Sequence, residues 1–142
     1  MIRPLLMACA LLVSAPALAC DCTLLSGFAS RHASGEYRES NHGIGVRMDA
    51  GPWAGWAIGT YRNSLDRQTI YVAREWTRRI AGPLHVGVLA TLATGYRYAV
   101  IPAVLPELVL RFERLEAALV VQPMNIEQSP AFVAVQLRWR IN

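Results

Sequence analysis

The sequence predicts an all-β chain: a single eight-stranded antiparallel transmembrane β-barrel, preceded by a cleaved signal peptide. Three observations predict it. Apolar and polar or small residues alternate with period two along most of the chain, which is the strand signature. The composition is 54% hydrophobic, yet Arg or Glu interrupts every later run that would otherwise be weighed as a membrane helix. The chain also opens on an export signal. In lipid, strands can cross only as a closed barrel, because an open sheet leaves backbone groups unsatisfied.

The signal is residues 1–19. Arg3 is a short basic start, Leu5 to Val13 is an apolar core too short to span, and Ala17-Leu18-Ala19 fits a cleavage site. Cys20 raises a lipoprotein alternative, although Ala17 stands where such signals usually carry Leu. Residues 20–142 then form one domain. Cys20 and Cys22 are separated by one residue, an awkward spacing for a disulfide, and no metal-ligand set lies nearby. No metal or other cofactor is expected.

The strands follow in order. Residues 23–32 make a weak first strand, and a polar loop over 33–42 follows. In the second strand, 43–50, Ile44, Val46 and Met48 face away from Gly45, Arg47 and Asp49. Gly51-Pro52 turns the chain into the third strand, 53–61, where Ala54, Trp56, Ile58 and Thr60 oppose Gly55, Ala57, Gly59 and Tyr61. A polar turn over 62–68 leads to the fourth strand, 69–76. The fifth is 84–94, with Leu84, Val86, Val88, Ala90 and Leu92 on one face. A Tyr-rich loop precedes the sixth, 104–112, and the seventh is 115–122. The eighth, 131–141, alternates most clearly, with Val133, Val135, Leu137, Trp139 and Ile141 opposite Phe132, Ala134, Gln136, Arg138 and Arg140.

With both termini in the periplasm, the inner turns are short (50–52, 79–83, 113–114) and the outer connections long (33–42, 62–68, 95–103, 123–130), the outer-membrane habit. Trp53, Trp76, Phe112 and Trp139 then fall near the inner rim, and Tyr61, Tyr71, Tyr96 and Phe132 near the outer one, as two aromatic belts. One residue breaks the pattern. Arg74 shares the lipid face of Ile70 and Val72, where a cation is tolerated only close to the interface.

The formal charge is +4, and every basic residue is Arg, scattered rather than clustered. That pattern excludes a nucleic-acid surface and suits anionic lipid head groups. Parity places His32 and Ser64 together at the outer rim. A His beside a Ser is the minimum for acyl transfer, because imidazole can take the hydroxyl proton. Asn63 is a candidate to orient the His or polarise a carbonyl, Asp66 and Glu39 to fix its tautomer, and His42 to compete as base; His85 reads as structural. An Asn-Ser pair is also ordinary turn chemistry.

The inward faces carry Asp49, Arg111, Glu116, Arg138 and Arg140 near the inner end, a potential polar plug. Higher up they carry small or apolar residues, among them Gly87, Leu89, Val109 and Val120, the candidate acyl pocket. Pro102, Pro106 and Pro123 cannot donate ladder hydrogen bonds. Facing each other across the sixth and seventh strands, they predict a lateral gap for a lipid tail.

In their order and spacing these features resemble the lipid A palmitoyltransferases of the outer membrane, the PagP family. The resemblance runs from Tyr37 and Glu39 through Gly43 and Gly45 and the Gly-x-Tyr-x-x-Ser run ending at Ser64. It continues through Ile101-Pro102, Leu105-Pro106 and Pro123 to the closing Leu137-Arg138-Trp139. Ser30-Arg31-His32 and Tyr61-Arg62-Asn63-Ser64 are similar to motifs of shorter relatives. The resemblance implies a monomeric outer-membrane enzyme of a Gram-negative bacterium. It would move an acyl chain from a phospholipid to the lipid A of lipopolysaccharide, with Ser64 and His32 at the site and the prolines as gate. The family has Asp where Asn63 stands, and its N-terminal amphipathic helix has no counterpart here. Lipid A deacylation is a second enzymatic expectation. A non-catalytic lipid-binding or structural barrel, or a soluble lipocalin-like carrier, is the rival from outside the enzymes.

Overall fold

The computed structural model describes residues 21–125 and 129–141. The expected signal segment, residues 1–19, lies outside them. Eight antiparallel strands form a closed barrel in which each pairs with its sequence neighbours and the last returns to the first. They are β1 (Cys22–His32), β2 (Ser40–Asp49), β3 (Ala54–Arg62), β4 (Gln68–Ala81), β5 (Leu84–Ala93), β6 (Ile101–Phe112), β7 (Leu115–Gln122) and β8 (Phe132–Ile141). All eight expected strands are present. One end of the barrel carries the short turns and the other the long loops.

Strand ends differ from the sequence reading where pairing extends a strand past its clear alternation. β4 runs to Ala81 because it stays paired with β5 until a two-residue turn at Gly82 and Pro83, where Gly82 has a φ of 50°. β6 begins at Ile101 rather than 104, held from Ile101 to Leu110 by β5. β2 begins at Ser40, where it meets Ala29 of β1.

β1 reads weakly because its alternation is broken. A bulge between Ser26 and Phe28 shifts its register against both β2 and β8. Gly27 sits at the shift, and a Cβ there would collide with the backbone of Asn41 to Gly43. The extra residue flips the faces that follow. Leu25 points inward before the bulge, and Phe28 opposite the buried Gln136 points inward after it. The same flip turns His32 to the lumen side, opposite Phe132.

The wall is apolar outside. Ile44, Ile58, Ile70, Val104 and Leu137 are each more than half exposed, in a continuous band with Trp56, Trp76, Phe112 and Trp139. A soluble monomer does not present such a band to water. Inside, the lumen is layered. At the turn end lies a buried ionic layer. Above it Leu25, Ala57, Tyr71, Ala73, Leu89, Ala93 and Val120 pack together, with Phe28, Tyr61, Tyr96, Ile101 and Leu105 against them. At the loop end the packing gives way to a cavity.

In the ionic layer, Arg47 binds Glu116 with two parallel bonds of 3.0 and 3.1 Å, Glu75 at 3.1 Å and Asp49 at 2.7 Å. Arg138 bridges Glu75 at 2.8 Å and Glu107 at 3.1 Å, and donates to Gln136. Arg111 lies 3.2 Å from Glu116 and donates to Thr77. The expected plug of Asp49, Arg111, Glu116 and Arg138 is therefore formed. Arg47, Glu75 and Glu107 complete it, and parity alone identifies them as inward. Arg140 is the exception, half-exposed at the mouth of a turn-end pit that His85 also lines.

One covalent feature departs from the sequence reading. Cys22 is disulfide-bonded, with its partner outside the described residues.

Candidate functional site at the loop end

The loop-end cavity has a volume of about 920 Å³. Its inner walls are Tyr61, Ala93, Ile101, Leu105 and Phe132, and its lip includes Tyr37, Tyr98 and Pro102. The floor is aromatic. Tyr61 meets Phe28 edge-on at 5.2 Å and Tyr71 at 5.7 Å, and its hydroxyl pairs with that of Tyr96 at 2.8 Å. Burial pushes the Tyr96 phenol above its usual range, so it remains protonated and able to share that bond.

None of the four residues expected to form the acyl pocket lines this cavity. Leu89 and Val120 are packed in the layer beneath it, and Val109 is completely buried. Gly87 lies lower still. A Cβ there would stand 2.8 Å from the Thr77 side chain and 3.1 Å from a Glu107 carboxylate oxygen. Two other lumen-facing glycines are likewise covered by large neighbours: Gly59 makes room for the Tyr71 ring and Gly55 for the stem of Arg47. The room for a ligand is one layer nearer the loops, among aromatics that the sequence reading assigned to a belt.

The wall beside the cavity is incomplete. The β6–β7 ladder runs from Phe112 opposite Leu115 to Glu107 opposite Val120 and stops there. The β5–β6 ladder continues through Pro106 and Pro102 to Ile101. The outer half of β6 therefore has one partner instead of two. Pro102 and Pro106 supply the reason, since neither has an N–H to give a second neighbour. Pro123 follows directly on β7. Of the three prolines, Pro102 reaches the cavity, while Pro106 faces outward below it.

His32 and Ser64 share the loop-end rim, but no hydrogen bond joins them. The His32 ring stacks on Tyr37 at 4.5 Å and tilts against Phe132 at 5.5 Å, and its Nδ1 is buried without a partner. Ser64 is half-buried in the β3–β4 loop, and its backbone carbonyl accepts from the Arg38 amide at 3.1 Å. Arg38 follows Tyr37, so the first loop joins the two residues without bringing their reactive atoms together.

Asn63, the expected partner of the His, is engaged within its own loop and with Gly95. The side chain is wholly buried. Its oxygen accepts from the amides of Leu65 and Arg67, and its NH2 donates to Thr69 Oγ1 and the Gly95 carbonyl, all at 2.9–3.0 Å. An amide offers two donors and one twofold acceptor. All are engaged, so Asn63 builds the loop and has nothing left for an imidazole or a substrate. Asp66 is likewise held by Arg38 and Arg62, at 2.7 and 2.9 Å. His42 faces outward beside Ser40.

No protein family matches this chain, and no curated protein does. Among solved structures, one reported under "De novo design of transmembrane beta-barrels" is similar, with a TM-score of 0.62 at 11% identity over 85% of this chain and 96% of that one. At such identity the likeness speaks for the fold alone. Fold and wall together define the class: a closed eight-stranded barrel of the transmembrane type.

Proposed function

We propose that this protein is an outer-membrane barrel of a Gram-negative bacterium, exported by its signal peptide, that takes a lipid acyl chain sideways into its loop-end cavity. The single observation that carries this reading is the β6–β7 ladder ending at Glu107 beside a largely apolar cavity that Pro102 also lines. With the short turns in the periplasm, that opening lies in the outer leaflet. Exposed Arg31, Arg38, Arg62, Arg67 and Arg97 stand around the same end, suited to the phosphates of lipopolysaccharide.

The finer reading is PagP-like acyl transfer from a phospholipid to lipid A, with Ser64 as nucleophile or acceptor-orienting hydroxyl and His32 as base. The orphaned Nδ1 of His32, whose ring packs against the cavity-lining Tyr37 and Phe132, supports it. A non-catalytic lipid-binding barrel is supported by a different observation, the full engagement of Asn63 where the family has Asp.

One experiment separates these readings. If the β6–β7 register continued, Leu105 would face Gln122, and both line the cavity. The paired variant Leu105→Cys with Gln122→Cys closes the gap when oxidised. Wild type, Ser64→Ala, His32→Ala and the paired variant are expressed in a host that makes lipid A. Lipid A and co-purified phospholipid are then weighed by mass spectrometry. Lipid A heavier by one acyl chain, except in the single variants and the oxidised pair, is the result expected of a transferase; loss of a chain indicates a hydrolase. Unchanged lipid A, with phospholipid retained by wild type and excluded by the oxidised pair, leaves the binding barrel. A folded, inserted protein that holds no lipid in either state overturns the proposal.

A further inference from the structure

Arg74 projects from β4 onto the outer wall, between Ile70 and Val72 on one side and Trp76 on the other. Its guanidinium lies over two indoles, 5.0 Å from the Trp56 ring centre and 5.6 Å from that of Trp76. Trp56 is its cross-strand partner on β3, and Trp76 pairs with Ala54, the first residue of that strand. Trp56 thus lies near the turn end of β3, while Arg74 and Trp76 lie seven and five residues short of the turn end of β4 at Ala81. The indoles hold the cation by its faces, which is favourable electrostatically. They leave its edges open. A guanidinium has five N–H donors, and among the described residues no carbonyl, hydroxyl or carboxylate accepts from Arg74.

The surroundings make the charge conspicuous. Arg78 lies four residues farther toward the turn end on the same face and is exposed. The outward-facing residues of β3, β4 and β5 include no Asp or Glu. Two positive charges thus stand on an apolar wall without a protein counterion. Burying such donors against hydrocarbon is costly. A phosphate at head-group depth removes the cost, because its oxygens match the planar fork of an Arg.

We propose that Trp56, Arg74 and Trp76 form a binding site for the phosphate of an anionic phospholipid in the leaflet at the turn end, with Arg78 adding a second cation at head-group depth. The indoles fix the guanidinium plane, and its free edge takes the phosphate oxygens. The site needs only a bilayer around the wall, and stands whether or not the loop-end cavity binds a chain.

The test uses the full mature protein in lipid nanodiscs of phosphatidylcholine mixed with phosphatidylglycerol, with bound lipid read by native mass spectrometry. Wild type should retain phosphatidylglycerol over phosphatidylcholine. Arg74→Gln should lower that preference about fivefold, the worth of one cation near an anionic surface. Arg74→Lys, which keeps charge but loses the planar fork, should fall between them. Trp56→Leu should weaken retention while leaving the charge unchanged. Folding of each variant is checked by heat-dependent gel mobility. Added inorganic phosphate should not displace the lipid; displacement would make this a free-anion site and overturn the lipid assignment. Equal retention of the two lipids by wild type, or an unchanged preference in folded Arg74→Gln, would overturn the site itself.

Discussion

The two ends of the lumen are enclosed by the same eight strands and filled in opposite ways. At the turn end, three arginines and four carboxylates are locked together, and the wall around them is paired on both sides of every strand. At the loop end, tyrosines and aliphatic residues surround a cavity, and one strand pair has come apart. The difference teaches where this barrel keeps its rigidity. Buried charges tolerate little displacement, because each needs its partner in place. Apolar contacts are less directional, and the half of the lumen that holds the cavity and the open strand pair is the half without the ionic layer.

The comparison breaks most severely at the ionic layer. Glu116→Ala leaves Arg47 without its two-pronged partner and takes one from Arg111. Removing one member of a buried pair costs about 3–5 kcal/mol. Urea unfolding in lipid vesicles should show that loss, and Val133→Ala on the outer wall should show far less. If the two variants unfold alike, the ionic layer is not the rigid half.

Asn63 is the exception that sharpens the contrast, a fully bonded polar group at the apolar end. Asn63→Ala leaves the amides and carbonyl it served unsatisfied, for about 1–3 kcal/mol. Asn63→Asp introduces the residue that the palmitoyltransferases carry but sets a carboxylate against the Gly95 carbonyl. It should therefore destabilise the loop without raising lipid A acylation. A gain of acylation in Asn63→Asp would return this residue to the chemistry.

Closing the open half by restoring donors should have a smaller effect. Pro102→Val with Pro106→Val gives β6 two N–H groups to offer β7, each worth about 0.5–1.5 kcal/mol. Thermal stability should rise and lipid exchange should slow. Exchange as fast as in wild type would count against lipid entry through this gap.

The smallest effect lies in the loops. Arg62, with Arg38, holds the Asp66 carboxyl below its ordinary range. A carboxylate favoured in the folded state contributes order above its unfolded pKa, and the contribution disappears as pH falls through the lower folded value. Hydrogen exchange over residues 63–67 should therefore accelerate only on the acid side of the ordinary carboxylate range. Asp66→Asn should be fast at every pH. Both residues are exposed, so the effect should shrink with added salt.

How much of this could be read from the residues varied with how local the cause was. β8 was legible because Val133 to Ile141 alternates without interruption. Asp49, Arg111, Glu116 and Arg138 were legible as a plug because parity alone turns them inward. His32 could be placed at the rim, but its turn toward the lumen depends on the bulge at Gly27, which breaks the parity used to read it. Asn63 looked like a catalytic neighbour of Ser64 because its true partners, Thr69 and Gly95, lie across the next turn and the next strand pair. Gly87 suggested a hole because a sequence shows a missing side chain but not the Thr77 and Glu107 that occupy its place. Pro102 and Pro106 gave the position of the break correctly, because a missing donor is a property of the residue itself.

That break also has a mechanical meaning. The chain ends meet along a full-length seam, from Cys22 beside Ile141 to His32 beside Phe132. The incomplete seam lies within a hairpin, whose strands are joined by the two residues Glu113 and Arg114. Spreading it cannot unthread the barrel. The two strands act as the arms of a pair of tongs, with the pivot at the turn, the arms clamped together just above it, and the tips free of each other at the opposite end, each held by its other neighbour.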